Sequence, residues 1–207
     1  MTDPTPGTTP DPAAAPPPTT GWAAPPPPAP VPGAAEFVYA DVPNRAIAYI
    51  IDAIIIGIIT AIIGAILSGL GLAAVTIEPG TLNASYSIVG LILSIIVGSL
   101  ISAAYFIYTW TSMRATIGMR VLGMQIGNAG DGKTLTTNQG IRRWLAIATP
   151  SLLAQIFFPL PLIGFLLALA SLAWFIFLVY TTAKSPTKQG YHDILANTQV
   201  VKAARTA

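Results

Sequence analysis

Cysteine is absent from the 207 residues, so the chain has no disulfide framework, no thiolate metal site and no cysteine nucleophile. Its redox compartment therefore cannot be read from thiols. Charge is nearly as scarce: 9% of residues are Asp, Glu, Lys or Arg, against roughly 25% in a soluble globular domain. So few charges cannot cover a water-facing surface. Ten Lys and Arg against eight Asp and Glu leave a net +2, too small a balance for nucleic-acid binding. Histidine occurs once, as His192 beside Asp193, and such a pair falls short of the three or four ligands a metal site wants. It is expected to be a solvated juxtamembrane residue. No nucleophile–base pair is apparent, so the reading is of a non-enzyme with no cofactor.

What is abundant is apolar sequence and, at the N-terminus, proline. Residues 1–36 are almost wholly Pro, Ala, Thr and Gly, with clusters at Pro16–Pro18 and Pro25–Pro28. They lack the basic start and apolar run of a signal peptide. Proline fixes φ and removes a backbone donor, so a disordered, solvated, polyproline-like tail is expected. A docking ligand for an aromatic groove usually also carries a basic residue, and these residues have none.

From Arg45 to Arg114 there is no other Lys or Arg, and only Asp52 and Glu78 carry charge. A span needs about 20 apolar residues to cross about 30 Å of hydrocarbon. Two are expected, at about 46–75 and 86–111. Isoleucine disfavours a helix in water, but in lipid only a helix satisfies its own backbone. Tyr105, Tyr108 and Trp110 suit one membrane interface.

The 40 residues from Trp144 to Ala183 are uncharged. As one helix they would reach about 60 Å, twice what a bilayer requires. Pro159 and Pro161 near the middle predict a tight hairpin with arms at about 144–158 and 161–181, the first short and, with Pro150 inside it, either kinked or only partly membrane-crossing. Four crossings place the basic residues Arg45, Arg114, Arg120, Lys133, Arg142, Arg143, Lys184, Lys188, Lys202 and Arg205 on one side; three crossings would not. The expected fold is an all-α integral membrane protein, a four-span bundle with cytoplasmic termini behind the disordered tail. Membrane lipid is the expected partner, with a homo-oligomer or a larger membrane complex beyond it.

Small residues recur every fourth position in both early spans: Ala53, Gly57, Ala61, Ala65, Gly69 and Ala73, then Gly90, Ser94, Gly98 and Ser102. They predict close packing of the two helices on each other, or else a homodimer seam.

Asp52 lies seven residues beyond Arg45, about 10 Å deeper along the helix and on nearly the same face. An unpaired carboxylate there costs about 2.5–3.5 kcal/mol at the helix centre on insertion scales. Arg45 is expected to snorkel toward water. Asp52 is then either tied to an arginine from elsewhere, such as Arg114 or Arg142, or it binds a cation or proton.

Gly127–Thr134 fits the nucleotide-binding P-loop pattern letter for letter. That pattern works only between a strand and a helix of an α/β domain, which the short loop here has no room to build. Alternation of Val121, Met124 and Ile126, and then Leu135 beyond the turn, reads instead as a small hairpin. No nucleotide binding is expected.

Three blocks resemble the RDD family of small bacterial membrane proteins, named for one Arg and two Asp: Arg45–Asp52, Thr116–Met124 and Gly190–Val201. The resemblance runs over about residues 37–203, taken as one RDD-like transmembrane domain. Asn197 stands where the family often has Gly. The proline-rich tail is similar to those of actinobacterial members, which implies a Gram-positive plasma membrane. The resemblance further implies a transport component, with cation/proton exchange suggested for some members. It makes Arg45, Asp52 and Asp193 the candidate ion-binding or structural polar cluster, at one cytoplasmic mouth.

Overall fold

The computed structural model describes residues 38–81 and 83–202. The N-terminal tail and Arg205 lie outside the described residues. Four long helices dominate: α1 (Val42–Gly69), α2 (Ile88–Ser112), α4 (Thr137–Ile156) and α5 (Pro161–Lys184). Two short helices, α3 (Ile117–Val121) and α6 (Tyr191–Ala196), and two antiparallel strand pairs complete the described residues. Three of the helices, α1, α2 and α5, are long and apolar enough to cross a membrane.

α1 starts four residues before the expected span and stops six before its expected end. Pro43 fits the first turn, where a missing N–H costs nothing, and Gly71 at φ 76° turns the chain away. β1 (Val75–Ile77) and β2 (Ala84–Tyr86) then form a hairpin that leads into α2. Ser87 caps α2 by accepting from the Gly90 N–H at 3.1 Å.

α4 begins seven residues before the expected third span, at a capping box between Thr136 and Gln139. Pro150 sits inside this helix and deprives the Ala146 carbonyl of its backbone donor. The indole Nε1 of Trp174, on α5, donates to that carbonyl at 2.8 Å. A neighbouring helix thus supplies the bond that proline removed, and the helix continues. Residues 157–160 turn the chain, and Pro161 opens α5 at its first turn.

At the charged end, β3 (Met124–Asn128) pairs with β4 (Thr198–Lys202) in the register Met124↔Lys202 to Asn128↔Thr198. This corrects the expected local hairpin: β3 takes its partner from the far C-terminal segment, and the P-loop-like stretch is the last two residues of β3 with the turn that follows. The chain entering α1 adds to the outer edge of β4, through Ala40 N–H to Val200 O at 3.1 Å and Lys202 N–H to Val38 O at 2.8 Å. Both ends of the described domain therefore lie side by side.

The buried core sits at this same end, with Ala40, Met124 and Ile126 under Phe106, Trp110 and Met119. Trp110 is in that core rather than at an interface, Tyr105 turns inward, and only Tyr108 is exposed. The small residues within α1 do not meet α2; the contact between the two sets comes beyond the helix, where the Ala73 backbone packs on Gly90 of α2. Ala53, Gly57, Ala61 and Ala65 all point outward, and nothing lies within 4 Å of where a Cβ on Gly57 or Gly98 would be. Ile56, Thr60 and Ile63, one or two positions away on α1, face the bundle instead.

Candidate functional site

Asp193 is the third residue of α6, and its Oδ2 accepts the Gly190 N–H at 3.0 Å, closing the helix start. The carboxylate is fully buried between two guanidiniums. Arg45, from the first turns of α1, ion-pairs with Oδ2; Arg143, from α4, ion-pairs with Oδ1. The Thr198 hydroxyl adds a bond to Oδ1 at 3.2 Å and itself accepts from Arg143 at 2.7 Å. Arg45 also donates to the Lys188 carbonyl, and Arg143 lies over the Trp110 ring at 5.1 Å. Arg45 therefore does not snorkel to water. It turns inward because the buried carboxylate of Asp193 is within its reach.

Asp52 has no arginine. Tyr105 Oη donates to Oδ1 at 2.6 Å, Thr116 Oγ1 to Oδ2 at 2.5 Å, and the Gly118 N–H to Oδ1 at 2.8 Å. Tyr105 in turn accepts the Ile117 N–H at 3.2 Å. The expected tie to Arg114 or Arg142 is absent: Arg114 donates to the Gly132 carbonyl and Arg142 to Asn138. Gly118 is required for the approach, because a Cβ there would lie 2.2 Å from the Ala48 carbonyl oxygen. Neutral donors suffice because a carboxylate accepting two or three hydrogen bonds is well solvated by them.

Arg45, Asp52 and Arg143 border one cavity of about 100 Å³, walled also by Thr116, Thr182 and His192 and by apolar side chains such as Phe106 and Trp110. Asp193 sits behind the two arginines. The structure thus joins Arg45 directly to Asp193 and sets Asp52 apart across the cavity. Two guanidiniums and two carboxylates balance in formal charge.

His192 also borders this cavity and is buried, not solvated, because α6 folds back against α4 and α5. Its Nε2 lies 3.6 Å from Asp193, too far for a hydrogen bond. Burial first, then repulsion from Arg143 and Arg45, holds its pKa well below 6.5 and keeps it neutral. Among the described residues, Arg143 Nε and His192 Nδ1 are buried without a protein hydrogen-bond partner.

Sequence reasoning missed Arg143, which it took as one more loop charge, and the trio Tyr105, Thr116 and Gly118. A signal existed for Arg143. It is the last charge before an apolar stretch, about two turns inside a capped helix, where an arginine needs a partner. Asn197 has φ 53° and ψ 52°, the left-handed cap that ends α6, which explains why glycine suits this position and asparagine is tolerated.

These features define a helical membrane protein whose charged end is closed by a buried arginine–aspartate cluster. The RDD family model matches residues 39–197, most of the chain, and the protein belongs to the RDD family. Comparison with the curated proteins gives no match, and comparison with the solved structures gives none.

Proposed function

We propose that this is a four-span, non-enzymatic protein of the plasma membrane with both termini cytoplasmic, acting as a small transport component or an accessory subunit of a membrane complex. The pairing of the segment before α1 with β4 supports an even number of crossings, since both ends of the domain then share one compartment. α4 is assigned the fourth crossing: it is about 30 Å long over its 20 residues, but its uncharged part is only 144–156, so it is the short arm of the four. The positive-inside preference favours the cytoplasm for the end that carries Arg45, Arg114, Arg120, Lys133, Arg142 and Arg143.

The observation that carries the accessory role is the saturation of both carboxylates by the chain's own donors. Asp52 holds three hydrogen bonds, and Asp193 holds two arginines, a backbone N–H and a hydroxyl. Such carboxylates lock helices together rather than wait for an ion. The rival is a cation/proton antiporter acting through Asp52.

Purified protein in liposomes separates the two. The lock predicts that adding Na⁺ or K⁺ leaves an imposed proton gradient intact, that Asp52→Asn lowers thermal stability, and that a stoichiometric partner co-purifies in mild detergent. A gradient that collapses on adding the cation, and is preserved in a well-folded Asp52→Asn protein, would establish the antiporter instead.

A further inference from the structure

Away from the charged cluster, α1, α2 and α4 enclose a second cavity of about 330 Å³, within the range of small-molecule sites. Its wall carries Thr60, Ser94, Ser99, Ser102, Ser151 and Gln155, and no Asp, Glu, Lys, Arg or His borders it. Gly64 and Gly98 leave it open, with nothing within 4 Å of a Cβ at either position. Trp144 Nε1, donating to Ser102 Oγ at 3.1 Å, bridges α4 to α2 at the side nearer the charged end.

The direction of the hydrogen bonds determines what the wall offers. Thr60 donates its proton to the Ile56 carbonyl at 2.8 Å, Ser99 to Ile95 at 2.6 Å and Ser151 to Ala148 at 2.8 Å. The Gln155 amide donates to the Ser151 carbonyl at 3.2 Å. Three of the five hydroxyl protons are thus committed to the helices and leave their oxygens as acceptors, while the Ser94 and Ser102 hydroxyls keep their protons, so the wall offers more acceptors than donors. A cation stripped of water would lose several kcal/mol here, and no carboxylate on the wall offsets it. The wall suits an uncharged ligand rich in N–H or O–H donors.

We propose that this cavity is a hydrated vestibule, open to the extracytoplasmic side, that binds a small neutral donor-rich solute of the urea type. The proposal rests on the four-span topology above, which puts this half of the bundle outside. Absence of cysteine makes single-cysteine variants clean reporters. Gly64→Cys and Ser94→Cys would face the cavity; Ile62→Cys and Ile96→Cys, at matching depth on the same helices, would face outward.

A membrane-impermeant thiosulfonate applied outside intact cells should modify the first pair at least tenfold faster than the second. Excess urea should slow labelling of Ser94→Cys at least twofold without affecting Glu78→Cys on the β1–β2 hairpin. Equal rates for the two pairs would overturn the vestibule, and fast labelling without protection by urea would overturn the solute site. Labelling of Glu78→Cys from the cytoplasmic side alone would instead overturn the topology, and the outward opening with it.

Discussion

The two ends of the bundle are built on different terms. At the charged end both buried carboxylates are fully hydrogen-bonded, and Ala40, Met124, Ile126, Thr198, Gln199 and Asp193 are almost completely buried; among the described residues, the buried side-chain nitrogens without a partner (Arg114 Nε, Arg143 Nε, His192 Nδ1 and Gln199 Nε2) also lie here. At the far end the helices separate around a cavity where Gly64 and Gly98 face open space, although Gly90 and Gly164 pack closely against neighbouring backbone. Where water is withdrawn from charged side chains, the protein must replace each lost bond, and that fixes geometry closely. Where side chains face hydrocarbon, no partner is needed, and helix packing is free to be loose.

Removing Asp193 should break this contrast most severely. Asp193→Ala leaves Arg45 and Arg143 buried together without a counter-charge, a loss of about 3–5 kcal/mol. Thermal unfolding in detergent should show the variant as the least stable single substitution. Restoring charge balance by adding Arg143→Met to Asp193→Ala should recover part of the loss, and a double variant no better than the single one would argue against the clamp.

Matched glycine substitutions should sharpen the comparison at intermediate size. Gly118→Ala drives a methyl into the Ala48 carbonyl and weakens the hydrogen bond to Asp52, costing about 1–3 kcal/mol. Gly98→Ala meets nothing and should change stability by less than about 0.5 kcal/mol. Comparable effects at the two sites, measured by the same unfolding assay, would remove the distinction between the ends.

The smallest expected effect is a pH dependence confined to the charged end. His192 has a folded pKa well below its ordinary 6.5, so the unfolded chain takes up a proton first as pH falls. The stability due to neutral burial is complete above about pH 6.5 and declines below it, by at most about 1.4 kcal/mol per pH unit for this one group. His192→Gln should flatten the fall in unfolding temperature between pH 7 and pH 5.5. An unchanged slope would show that the histidine does not contribute.

Much of the architecture was legible along the chain. The α4–α5 turn, residues 157–160, contains Pro159 and ends at Pro161, because proline marks where a helix must stop or start. What misled was periodicity taken without a partner. Four-residue spacing of small side chains on α1 does define a face, but that face points away from α2. The hairpin expected around Gly127–Thr134 failed for a related reason. Strand alternation tells that β3 needs a neighbour, not that the neighbour is β4, 70 residues on.

Composition alone determined that the protein belongs in a membrane as helices, because transfer into hydrocarbon depends on which side chains follow one another, and backbone satisfaction is local to each helix. Pairing of the polar groups was decided only by the tertiary structure. Arg45 and Asp193 are 148 residues apart, and Asp52 and Tyr105 are 53 apart. A buried charge specifies that it must have partners, but which groups come within 3 Å of it depends on how the helices and the strand pair fold together.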